Sequence, residues 1–255
     1  MIASRSFARL GAGARILSFA EFVAAGAVVI AHNVFGALPN EVPILSGLCI
    51  ASVALRNVAW RAVWSDSTGP WSQNVLVWLW RPASAVLRGL GLGRPKSWAL
   101  TILISLVAAV AIIATGEFVT EPLAKQLGLH ATNAGATVLG PMRGNPGNAL
   151  RALGLVWTFA AFGEELGYRR YILGRAADAG GGTAWAYALA LLAASVLFGF
   201  GHYYQGPAGI FTTACDGFML GLVYLLARRN LWVAVFTHGL VDTIGIALLF
   251  FGIAD

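Results

Sequence analysis

Seven ionisable residues fall inside strongly apolar stretches of the second half of the chain: Glu164, Glu165, Arg169, His202, Asp216, His238 and Asp242. An ionisable group near a bilayer centre costs roughly 2.5–3.5 kcal/mol on insertion scales, so each needs a partner or a use. The run Phe162-Gly-Glu-Glu-Leu-Gly-Tyr-Arg-Arg170 sets Glu165 four residues before Arg169, the favourable order for a helical ion pair, and Glu165 is thereby neutralised locally. Glu164 lies about 100° away round an α-helix with no base three or four residues from it. Its carboxyl must find a partner on another helix or hold a proton, which makes it the better general base of the two. The plainer reading is that both glutamates only pair with Arg169 and Arg170 at a helix end.

Phe198-Gly-Phe-Gly-His202 closes another apolar run, and His238-Gly-Leu-Val-Asp242 sets an imidazole and a carboxylate one helical turn apart. A lone histidine in a span is more often an interhelical hydrogen-bonding group. Four polar residues on three helices, flanked by glycines at 163, 167, 199, 201 and 239, point instead to side chains converging where helices approach closely. Asp216 has no second polar residue at helical spacing and reads as a hydrogen bond to a neighbour. A desolvated carboxylate among apolar helices can take a proton from water, and an imidazole or amide donor can serve a developing oxyanion. As a carboxylate Asp242 cannot donate, so its expected task is to orient His238 unless it is protonated. Glu164, His202 and His238 could alternatively supply three ligands to Zn²⁺. No HExxH spacing is present and no outer partner for His202 is visible, so no cofactor is the favoured reading, with Zn²⁺ the alternative.

Positioning such groups requires membrane helices. Of 255 residues 58% are hydrophobic and 11% charged, against about 25% charged in an ordinary soluble domain, and mean hydropathy is +0.74. The net charge of +6 has no polar face to serve a phosphate backbone, so nucleic acid is excluded as a partner. Cys49 and Cys215 both lie in apolar runs and read as packing residues. Seven segments approach the roughly 20 residues needed to cross a bilayer, over about 16–35, 42–63, 98–119, 150–173, 185–204, 208–227 and 231–251. The first, preceded by Arg5, Arg9 and Arg15, is too long for a signal peptide and reads as a retained anchor. Residues 64–97 mix Trp64, Trp71, Trp78 and Trp80 with Arg81, Arg88, Arg94 and Lys96, which suits an amphipathic connector in the headgroup layer. The stretch from about 121 to 148, with Pro122, Pro141 and Pro146, should be an irregular loop.

The expected architecture is therefore all-α: a polytopic membrane bundle of about seven helices and an interfacial segment. Residues 1–97 form an N-terminal anchor hairpin and connector, and 98–255 form the core that carries the chemistry. In the first three spans Glu21, His32, Arg56 and Glu117 sit singly or towards span ends. With a cytoplasmic N-terminus, all but Lys125, Arg143 and Arg151 of the 17 basic residues fall on the cytoplasmic side. One depth does not match. At about 1.5 Å per residue, Glu164 lies about 12 Å and His238 about 10 Å from the cytoplasmic ends of their helices, but His202 lies about 25 Å along a helix starting near Trp185. That helix must tilt or begin outside the bilayer.

Three ordered motifs, Glu164-Glu165-x-x-x-Arg169, Phe198-x-x-x-His202 and His238-x-x-x-Asp242, make the chain resemble the CPBP family of intramembrane proteases, which includes CAAX-processing and bacteriocin-immunity (ABI) proteins. The resemblance covers roughly residues 94–251, and the first 90 carry no family signature. One departure is Gly167-Tyr168 before Arg169, where the family often has a bulkier residue followed by Phe or Trp. The resemblance implies peptide-bond hydrolysis within or beside the membrane, with Glu164 and His202 activating water and His238 with Asp242 stabilising the oxyanion. The implied partners are membrane lipid and a hydrophobic or lipidated peptide. The Arg-rich, Lys-poor composition suggests a bacterial cytoplasmic membrane. Two other classes remain open: a non-catalytic immunity or peptide-binding protein using the same polar pocket, and a proton-coupled transporter. The transporter reading lacks paired discontinuous helices, and water chemistry separates the peptide-binding reading from an enzyme.

Overall fold

The computed structural model describes residues 11–57, 86–132 and 141–253. Seven helical rods account for these residues, one for each apolar segment, and no strand occurs among them. They are α1 (Ala12–Asn33), α2 (Glu41–Asn57), α3 (Trp98–Gln126), α4, α5 (Ala184–Phe200), α6 (Gly206–Leu226, after the short turn Tyr203–Gln205) and α7 (Leu231–Phe251). The rod α4 joins Pro146–Leu155, Val156–Leu173 and Gly174–Ala179 without a break. The expected interfacial connector lies outside the described residues as far as residue 85.

Among the described residues, α1, α3, α6 with its leading turn, and α7 are each long and apolar enough to cross a bilayer, and α5 is a shorter apolar helix. Their outer faces present large apolar side chains: Leu103, Leu106, Val107 and Val110 on α3, and Leu189, Leu192 and Val196 on α5. An exposed apolar surface of this extent belongs in lipid, and with backbone groups satisfied inside helices the chain is an integral membrane protein.

Polar residues start the rods where the spacing requires. The side chains of Ser97, Asn145, Thr183 and Asn230 accept hydrogen bonds from the free amides of the first turns of α3, α4, α5 and α7. The loop expected over 121–148 is shorter than that. α3 continues to Gln126 because Pro122 sits in the first turn after a π-type turn at Gly116–Thr120, where its missing N–H forfeits little.

Small residues set the spacing between rods. A Cβ at Gly199 would stand 2.4 Å from the Ile210 carbonyl oxygen, so α5 and α6 meet backbone to backbone. A Cβ at Gly163 would stand 2.5 Å from Val42, and α2 consequently lies against α4. Leu191 packs on Gly221 and Phe198 on Gly217, while Tyr187, one turn into α5, takes a hydrogen bond from Arg229 at the foot of α7 (2.6 Å). Phe198, one turn before His202, is the α5 residue that reaches the ring of His238, at 6.0 Å between centroids.

The charges of the first two rods are not single. Glu21 on α1 pairs with Arg56 on α2 at 3.1 Å and with Arg175 on α4 at 3.7 Å, and accepts a hydrogen bond from Ser52. Arg175 also holds Asp178 at 2.8 Å. His32 pairs with Glu41, which begins α2. The partners lie on different rods, which spacing along one segment cannot reveal.

Candidate active site

From Val156 to Leu173, α4 is wound as a π-type helix, so successive side chains turn through less than the 100° of an α-helix. Glu165, fully buried, and Arg169, 2% exposed, still meet, with Nη1 2.9 Å from Oε1. Nη1 is off hydrogen-bond alignment there, and the guanidinium is held instead by Nη2 donating to the Gly217 carbonyl (3.2 Å) and by the Phe198 ring 4.2 Å from its carbon. The same Glu165 oxygen accepts from His238 Nδ1 at 2.8 Å. Removing one partner of such a buried pair leaves an uncompensated charge and costs about 3–5 kcal/mol, so Glu165 and Arg169 stand or fall together.

Hydrogen-bond partners fix what each imidazole can do. His238 gives its Nδ1 proton to Glu165, and its Nε2 faces Asp242 Oδ2 at 3.4 Å. Asp242 thus lies within ion-pair range of the ring edge that Glu165 leaves free. His202 is the opposite case. Its Nδ1 lies 3.0 Å from the Phe198 carbonyl, which can only accept, so the proton of a neutral ring is on Nδ1 and Nε2 keeps its lone pair. Phe198, 3% exposed, is the spacer between the two: its ring stands 4.9 Å from His202 and 6.0 Å from His238.

Glu164 is half-buried, and its Oε2 is buried without a hydrogen-bond partner among the described residues. It lies within electrostatic reach of His202, His238, Asp242 and Arg169. α4, α5 and α7 therefore bring all six motif residues to one place. Asp216 joins them from α6, within reach of His238, His202, Asp242 and Arg169. Asp216 has no charged neighbour on its own helix, so spacing along α6 does not place it in the site and only the packing of α6 does. Tyr204, in the turn after His202, lies 6.0 Å from the His202 ring between centroids and feels both Glu164 and Asp242. Its place two residues after His202 carries no helical spacing that would mark it.

Zinc is the metal the residue types would allow. Among the described residues no three or more of His, Cys, Asp and Glu are gathered as a metal would need, and the donors explain why. With Nδ1 bonded to Glu165, Nε2 is the nitrogen a metal would take, and it faces Asp242 Oδ2 at 3.4 Å instead. Glu164, His202 and His238 do not fit a zinc site in this arrangement.

A family model described as type II CAAX prenyl endopeptidase Rce1-like matches residues 146–244. This stretch is similar to that family. It runs from the first residue of α4 into α7 and contains Glu164, Glu165, Arg169, His202, Asp216, His238 and Asp242. The match agrees with the CPBP resemblance of the three motifs and points to an intramembrane endopeptidase. The Rce1-like stretch spans well under half of the 255 residues, and α1, α2 and α3 lie outside it. No curated protein and no solved structure matches the chain.

Proposed function

We propose that the protein hydrolyses a peptide bond in a membrane-associated, lipidated or hydrophobic peptide, using water activated between Glu164 and His202. One observation carries the reading: His202 commits Nδ1 to the Phe198 carbonyl and keeps the Nε2 lone pair, beside a Glu164 whose Oε2 has no partner among the described residues. Two proton acceptors without a proton to share are what a water molecule can satisfy.

In the proposed step, a water gives a proton to the Glu164–His202 pair as its oxygen attacks the peptide carbonyl carbon. The negative charge that moves to the carbonyl oxygen is met by His238 through its Nε2 edge, which Asp242 orients. Glu165 and Arg169 act through His238 as positioning residues, because the Nδ1 bond fixes the ring. When the C–N bond breaks, the proton taken from water passes to the leaving nitrogen, and the carboxylic acid and amine products leave the pair as it began. An apolar cleft of about 350 Å³ between α5 and α6, lined by Val196, Phe200, Pro207, Ile210, Phe211 and Ala214, supports a substrate with an aliphatic or prenyl group. The excess of basic residues on alternate connections supports a cytoplasmic N-terminus, and the composition supports a bacterial membrane.

The test is cleavage of a pool of lipidated and hydrophobic peptides by the purified protein in liposomes, read by mass spectrometry. Glu164→Gln and His202→Ala are each expected to lower kcat by about 10²–10⁴-fold, the usual range for a lost acid–base group. Cleavage untouched by either change would remove the proposed site. A wild-type protein that binds peptides from the pool and cuts none would favour the peptide-binding alternative.

A further inference from the structure

The N-terminal hairpin, outside the Rce1-like stretch, brings a buried carboxylate to the site. Glu41 is the first residue of α2 and only 5% exposed, and Asn40 caps the same turn by accepting from Val42 N at 2.9 Å. Behind it, at the end of α1, His32 places Nδ1 2.8 Å from the Leu38 carbonyl and Nε2 3.3 Å from Glu41 Oε2. The carbonyl can only accept, so Nδ1 carries a proton. Nε2 is then the ring edge that pairs with Oε2. This contact fixes the plane of the Glu41 carboxyl and turns Oε1 towards the Tyr168 hydroxyl, 3.5 Å away.

Tyr168 is 2% exposed and directly precedes Arg169 on α4. Its ring meets Phe198 edge-on at 5.0 Å, and its hydroxyl lies where a Cβ at Gly201 would come within 2.5 Å. Gly201 and His202 form the turn that ends α5. Phe198 and Gly201 are thus both braced by Tyr168, and between them they aim the His202 ring. Besides His32 from α1 and Tyr168 from α4, the group facing Glu41 is Tyr204, from the turn before α6.

We propose that His32, Glu41 and Tyr168 are positioning residues for His202: the hairpin holds the Tyr168 hydroxyl, and through it the Gly201–His202 turn, so that Nε2 meets the attacking water. The first two rods are then part of the catalytic unit rather than an anchor. The catalytic half of this inference rests on the protease reading, and the structural half does not.

The experiment therefore has two arms on the full chain, comparing wild type, Glu41→Gln, Tyr168→Phe and the double variant. The first is NMR of ¹⁵N-histidine-labelled protein, which contains four histidines, His32, His130, His202 and His238. Glu41→Gln and Tyr168→Phe are each expected to shift the His202 ring-nitrogen signals, and Glu41→Gln also to shift those of His32, its pairing partner. The second is cleavage kinetics, where each single change should lower kcat by about 10-fold with KM within about twofold, the effect of a misplaced rather than missing group. The double variant should fall no further than the worse single, as expected for residues acting through one contact. His202 signals that stay in place in Glu41→Gln, or losses that multiply in the double variant, overturn the proposal. If the wild-type protein cuts nothing, the protease reading fails alone and the NMR arm still decides the positioning.

Discussion

Asp242 has the sharpest chemical consequence of any single residue here. It faces His238 Nε2 at 3.4 Å, the ring edge that meets the oxyanion in the proposed mechanism. Asparagine can accept from Nε2 as the carboxylate does and can also donate through its own amide, so Asp242→Asn should keep kcat within about 10-fold of wild type. Asp242→Ala leaves His238 without its partner and should cost about 10²–10³-fold, the range for removing one oxyanion donor. Parallel kcat measurements on the two variants check this, and equal losses would count against an oxyanion role for this edge of His238. The motif residues themselves were legible from cost: a charge in an apolar run must be explained, and six of the seven so singled out are the motif residues. The same logic finds His32 only as a single charge towards a span end, and passes over Glu41. Glu41 sits at a turn between two spans, where charge is unremarked, and the Tyr168 hydroxyl that meets it is 127 residues away in the chain.

At the scale of the elements, the helices declared themselves through apolar length, and their starts through Ser97, Asn145, Thr183 and Asn230. The π-type winding of α4 did not, because the widening of a helix follows from what packs around it rather than from propensity. Nor did Pro122 behave as a break, since its place in the first turn after a π-type turn depends on a winding the residues do not announce. The contact of α5 with α6 is the tightest place where one methyl group decides an interface. Gly199→Ala would drive a Cβ into the Ile210 carbonyl, with backbone on both sides and no flexible side chain to yield. The expected result is a loss of roughly 1–3 kcal/mol, read as a lower thermal-unfolding midpoint in detergent. The active-site turn lies two residues further on, so activity should fall with it.

For the whole molecule, the question is how an N-terminal hairpin with no family signature becomes fixed to the rest. Two polar clasps do it, one at each end of α2. His32–Glu41–Tyr168 holds the end near the site, and Glu21–Arg56–Arg175 with Ser52 holds the other. Both cross between rods, so neither could be read from one segment. Glu21→Ala would leave Arg56 and Arg175 facing each other without their common counter-charge. Glu21 and Arg56 are partly exposed and the buried Arg175 keeps Asp178, so the effect is reduced, and a loss of about 1–2 kcal/mol in thermal unfolding is expected. Cleavage by the folded fraction should be unchanged, because this clasp is at the far end of α2 from His202. A variant that keeps its stability but stops cutting would show that the two clasps are coupled.

The foot of α7 carries one last implication. Arg228 and Arg229 both adopt left-handed backbone angles, φ 58° and 62°, which non-glycine residues seldom take, and Arg229 is pinned to Tyr187. That corner sets where the rod begins, and His238 follows seven positions after Leu231. One inserted residue in this interval would raise the imidazole by about 1.5 Å and swing it about 100° off Glu165. Lineages descended from this protein can therefore be expected to vary the letters between Leu231 and His238 while preserving their number.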